Sequence, residues 1–197
     1  MSKGEETRER IVDRAFLLAA RDGFEGLTIG ALADELKMSK SGLFAHFGSK
    51  EELQVAVLDV ASSRFTERVM LAAFKAPRGL PRLNRVFENW IEWMMDPRMP
   101  GGCIFTQANA ELDDREGRPH DVLVDYQRSL LDALKKTVQL AIDEGHLAFD
   151  TDPAQIAFEL EGQMMTLNMY NRLLKDRRAV DRARTAFKRL IDSHRRR

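Results

Sequence analysis

Between residues 37 and 50 the chain carries Lys37, Lys40, His46 and Lys50, has no Asp or Glu, and sets Ser39, Ser41 and Gly42 among them. Ammonium groups and an imidazole free of neighbouring carboxylates attract phosphate. Serine hydroxyls can donate to or accept from base edges, and a glycine lets backbone approach a ligand closely. This is recognition chemistry, and nothing in the sequence adds turnover to it: no Ser/His/Asp spacing, glycine-rich phosphate loop or paired metal-ligand motif is present. No enzyme activity, metal or cofactor is therefore expected.

Two other groups of reactive residues read more plainly. Cys103 is the single cysteine and has no Lys, Arg or His beside it in sequence, so it reads as an inert buried thiol of a reducing, cytoplasmic compartment. Glu111, Asp113, Asp114 and Glu116 with His120 read as a solvated turn instead of a metal site.

The elements that position the basic cluster follow from periodicity. Ile11, Ala15, Leu18 and Ala19 predict a helix from about Glu5 to Arg21, stopped by Gly23. Thr28 can cap a short helix whose apolar set is Ile29, Leu32, Ala33 and Leu36, and Ser39 can cap another from Lys40 to Phe47. Two short helices joined by Lys37-Met38-Ser39 make a helix-turn-helix, with the second helix as the reader of a DNA groove. Beyond it, Ser49-Lys50-Glu51-Glu52 opens a helix expected to reach Lys75. Further helices are expected from Leu83 to Met94, Gly101 to Glu111, Val122 to Glu144, Pro153 to Leu174 and Asp176 to Ser193, with residues 113–119 as a loop. The prediction is an all-α protein of about nine helices. Residues 1–55 would form a three-helix DNA-binding domain and residues 56–197 a helical bundle. The longest stretch without a charged residue or histidine, Met99 to Ala110, is too short and too polar to cross a membrane.

Ala15-Phe16, Gly23-Phe24, Leu27-Thr28-Ile29, Leu32-Ala33, Met38-Ser39-Lys40-Ser41-Gly42-Leu43-Phe44, His46-Phe47 and Ser49-Lys50-Glu51-Glu52-Leu53 together resemble the tetracycline-repressor (TetR) family over about residues 8 to 58. The resemblance implies a homodimeric transcription regulator, in most relatives a repressor, that reads a palindromic operator in double-stranded DNA and answers to a small-molecule inducer. By motif position it implies that Thr28, Lys50 and His46 meet phosphates and that Ser39, Lys40, Ser41 and Gly42 face base edges, beside Lys37 and Phe44. The family usually has tyrosine where this chain has Phe44, so the phosphate contact of a phenol is not expected here.

The helix beginning at Pro153 is apolar on two faces, which suits burial in its own bundle and against a partner subunit. Phe158, Gly162, Met165, Met169, Ala183, Phe187 and Leu190 are the expected dimer interface. Trp90, Trp93, Met94, Phe105, Tyr126, Met164 and Asn168 are the expected lining of an inducer pocket for a small, largely apolar ligand, with plain core packing as the competing reading of each. The 175–197 segment holds ten Lys+Arg against three Asp and reads as the solvated face of the last helix. The alternative to an inducible repressor is a DNA-binding activator or architectural protein that takes no small ligand.

Overall fold

The computed structural model describes residues 2–196, the side chain of Lys3 apart. The chain is helical throughout, and the described residues hold no β-strand, only one isolated bridge between Leu147 and Arg195. It divides into two compact units.

The first unit comprises residues up to 64 together with 96–126. It contains α1 (Lys3–Gly26), α2 (Ile29–Leu36), α3 (Lys40–Phe47) and nearly all of α4 (Lys50–Phe65). Ile11, Ala15, Phe24, Leu27, Leu32, Leu43 and Leu53 are fully buried and form its centre. Gly23 interrupts α1 with φ +79°, so the expected stop is present as a kink and the helix resumes for one short turn. A further helix of this unit, Ile104–Leu112, packs on α1, and its approach depends on Gly101. A Cβ on Gly101 would lie 1.1 Å from the carbonyl oxygen of Ala20, so no other residue fits.

The second unit comprises residues 65–95 and 127–197. After α4 the helix expected to run on to Lys75 loosens into a π turn, Thr66–Met70, and a 3-10 turn, Leu71–Lys75. This change of hydrogen-bond register frees carbonyl groups, and the buried side-chain amide of Asn89 donates to the oxygen of Val69 at 2.9 Å. Numbered in chain order, α5 is Leu80–Met94, α6 the Ile104–Leu112 helix, α7 Arg118–Asp143, α8 Pro153–Arg172 and α9 Ala179–Ser193. Phe65 meets Trp90 and Trp93 edge-on at 5.5 Å, and Phe87 stacks on Phe187 at 4.0 Å.

Four helix starts differ from expectation, α5 beginning at Leu80 and not Leu83, with Pro81 in its first turn, and α6 at Ile104 and not Gly101, after a turn at Gly102 (φ +84°). α7 begins at Arg118, four residues before Val122, because the chain turns at Gly117 (φ +125°) and Pro119 suits a first helical turn. α9 begins at Ala179 and not at Asp176, whose carboxylate is used in the preceding turn, accepting from the Arg178 amide at 2.8 Å and from Arg182. Among the described residues no helix is long and apolar enough to cross a membrane.

Candidate nucleic-acid interface

The candidate surface is built by two caps and a turn. Thr28 Oγ1 accepts the Ala31 amide at 3.1 Å and starts α2. Lys37 ends α2 in the left-handed conformation, φ 54° and ψ 42°, sending its own amide and that of Met38 back to the last carbonyls of the helix. Ser39 Oγ then accepts the Gly42 amide at 3.0 Å and starts α3, with Ser41 Oγ 3.3 Å away. Leu32 and Ala33 on α2 and Leu43 and Phe47 on α3 are buried and hold the pair together.

That packing turns the other faces outward. Thr28, Lys37, Ser39, Lys40 and Ser41 are exposed, Gly42, His46 and Lys50 are half-buried, and Phe44 is 50% exposed. Hydroxyl and ammonium groups at the N-terminus of a helix, with an imidazole in its last turn, suit phosphate oxygens and base edges. The first unit thus brings all nine sequence-selected residues onto α2, α3, their turn and the start of α4.

Lys50 is held in a way the sequence did not suggest. Its Nζ donates to the Glu25 carbonyl at 3.1 Å and stands 3.8 Å from the Glu25 carboxylate. Arg115 pairs with the same carboxylate, Glu111 accepts the Glu25 amide at 2.7 Å, and Arg118 pairs with Glu52 beside Lys50. The acidic turn expected to be merely solvated thus ties down the end of α1 and the start of α4. Separations of 86 and 90 residues between partners carry no local sequence signal. No group of His, Cys, Asp and Glu among the described residues could hold a metal ion.

The seven pocket candidates are divided between the two units. Trp90, Trp93, Met94 and Met164 are buried and Asn168 half-buried in the second unit, while Phe105 and Tyr126 are half-buried in the first. Burial, and then a hydrogen bond to the Asp59 carboxylate, push the Tyr126 phenol up to about 12. Trp93 lies in the aromatic cluster with Arg68 5.1 Å above its ring, and its indole Nε1 is buried without a hydrogen-bond partner. None of the seven lines the cavity of about 500 Å³ between α8 and α9, whose walls include Gln163, Thr166, Tyr170 and Arg182. The polar spacing 159, 163, 166, 170 along α8 was the available signal for those walls.

The seven interface candidates divide in two. Phe158, Gly162, Met165 and Met169 form an exposed stripe along α8, with Phe158 71% exposed. Ala183, Phe187 and Leu190 are instead buried, because the apolar face of α9 packs on α8 and, through Phe187, on α5 of its own unit. In the basic segment around α9, Arg182 pairs with Asp176, Arg184 with Glu88, and Lys188 and Arg195 both with Asp192.

Comparison with known proteins agrees with this geometry. Residues 11–57 match the sequence model of bacterial regulatory proteins of the tetR family, and residues 79–187 match that of the tetracyclin repressor-like C-terminal domain. A TetR transcriptional regulator from Chloroflexus aurantiacus is similar over 98% of this chain and 96% of its own, at 24% identity and TM-score 0.85. A putative transcriptional regulator from Saccharomonospora viridis, in complex with choline, is similar over 98% and 100%, at 22% identity and TM-score 0.83. AibR, in complex with isovaleryl coenzyme A and operator DNA, is similar over 93% and 97%, at 20% identity and TM-score 0.77. At these identities the likeness is one of fold. No curated protein sequence matches this chain.

Proposed function

Since the chain belongs to the TetR family of bacterial regulators, which are DNA-binding transcription factors and not enzymes, we propose that it is a homodimeric repressor of a palindromic operator, released by a small ligand. The observation that carries this reading is the α2–turn–α3 surface. Its hydroxyl and ammonium groups are solvent-facing, Leu32, Ala33, Leu43 and Phe47 are buried beneath them, and no carboxylate interrupts it from Lys37 to Lys50. Residues 1–55 would carry operator contact, with Thr28, Lys50 and His46 on phosphates and Ser39 to Gly42 at base edges. The exposed α8 stripe of Phe158, Gly162, Met165 and Met169 would meet its symmetry mate, in the manner of an isologous contact.

For the ligand, the supporting observation is the indole N–H of Trp93. A buried donor without an acceptor is costly, and a largely apolar molecule bearing one carbonyl or ether oxygen would satisfy it amid Phe65 and Trp90. The AibR and Saccharomonospora structures hold a coenzyme A thioester and choline respectively, so this fold accommodates ligands of quite different chemistry, and ours is defined only by its acceptor.

Selection of bound sites from a random duplex pool by the purified protein tests the reading. Enrichment of an inverted repeat, bound at two protomers per site, is the expected result, as is loss of transcription when that repeat overlaps a promoter. Failure to enrich any motif at low salt with the protein folded would overturn it.

A further inference from the structure

Phe44 occupies an unusual place for its chemistry. The other large apolar side chains of α3, Leu43 and Phe47, are 0% and 7% exposed, whereas Phe44 is 50% exposed. At helical spacing it lies one turn after Lys40 and beside Ser41, at the edge of the face that buries Leu43 and Phe47. Half of a phenyl ring in water at the middle of a polar reading surface forfeits the free energy that burial would return. Its occupant is constrained by the charge of the segment: Lys40 lies on the same face of α3, and residues 37–50 hold three lysines and a histidine and no carboxylate, which opposes an apolar protein partner and matches a polyanion.

A phenyl ring offers no hydrogen bond to a phosphate or a base edge. The apolar group that a base pair presents in the major groove is the C5-methyl of thymine. We propose that Phe44 reads thymine, its ring covering one or two thymine methyl groups in each half-site, so that this position selects by apolar contact while Ser39 to Gly42 select by hydrogen bonding. The inference rests on the DNA-binding reading above and adds to it the chemical group recognised.

Uracil in place of thymine removes the methyl and leaves every hydrogen-bonding group of the base unchanged, which makes a uracil scan of the selected operator the appropriate test. With the native protein, uracil at the thymine facing Phe44 should weaken binding about fourfold, the effect of uncovering one methyl group. In Phe44→Ala, whose fold is checked by circular dichroism, overall affinity should fall about tenfold and the same uracil should have no further effect. Phe44→Leu should keep an intermediate sensitivity. Tight binding by the native protein with no uracil effect at any position overturns the proposal, as does an equal uracil effect in native protein and Phe44→Ala. Absence of any DNA binding at low salt overturns the DNA-binding reading and this inference with it.

Discussion

The ammonium of Lys50, which opens α4, donates to the main-chain oxygen of Glu25 at 3.1 Å and faces the Glu25 carboxylate at 3.8 Å. The residue proposed to meet a phosphate is therefore already partnered by an anion on α1. Glu25 is exposed and Lys50 partly so, and solvent screening limits the contact to about 1 kcal/mol.

Competition follows from that geometry. Lys50→Ala should weaken binding to all duplex sequences alike and lower the slope of log K against log salt by about one. Glu25→Gln should strengthen binding about two- to fivefold by releasing Lys50 and removing a negative charge near the phosphates. In the Lys50→Ala background Glu25→Gln should do much less. Titrations of fluorescent operator at several salt concentrations check all three, and an unchanged slope for Lys50→Ala would refute the phosphate contact.

Gly101 sits against the carbonyl of Ala20 with no room for a methyl group. Gly101→Ala must push α6 from α1, and overpacking of this kind should cost about 3 kcal/mol in chemical denaturation. Gly162 makes the control, since a Cβ there would meet nothing within 4 Å. Gly162→Ala should leave the isolated protomer unharmed or slightly stabilised through its helix propensity.

Met165 lies on the exposed α8 stripe and Phe187 in the core against Phe87. Met165→Glu should yield a folded monomer in analytical ultracentrifugation. Phe187→Ala should lower stability by about 3–5 kcal/mol through the cavity it leaves. If Met165→Glu stays dimeric, the stripe is not the interface.

Glu161 on α8 is half-buried, and that burial raises its carboxyl above the usual range. In the unfolded chain the group releases its proton at the ordinary carboxylate value, while the folded chain keeps it to higher pH. Stability from this group is thus intact at acid pH and declines as pH rises from the ordinary to the raised value. Glu161→Gln should be more stable than native at neutral pH and lose that advantage on acidification, as thermal melts across pH 3 to 8 would reveal.

The elements that read correctly from sequence are those decided by near neighbours. Thr28 and Ser39 each accept the amide three residues on and so cap the helix that follows, and the starts of α2 and α3 follow from local chemistry alone. The loosened segment 66–75 was hidden because its stabilising partner, Asn89, lies 20 residues beyond Val69. Periodicity on α9 announced that Ala183, Phe187 and Leu190 are covered, yet a pattern along one helix does not say whether the cover is Phe87 of the same chain or a second subunit. The same limit applies to Trp90 and Trp93, whose aromatic character fits a ligand wall and a packed core equally.

Lys37 gives the turn between α2 and α3 a residue other than glycine at positive φ. A side chain in that conformation costs on the order of 1 kcal/mol, which Lys37→Gly would recover. The same exchange deletes an ammonium from the surface proposed to face DNA. Thermal robustness and grip on DNA are therefore set against each other at one position. Laboratory evolution for heat resistance alone would drift toward glycine or asparagine there and weaken the proposed DNA contact, whereas selection for tight DNA binding would hold the lysine and keep the turn slightly sprung.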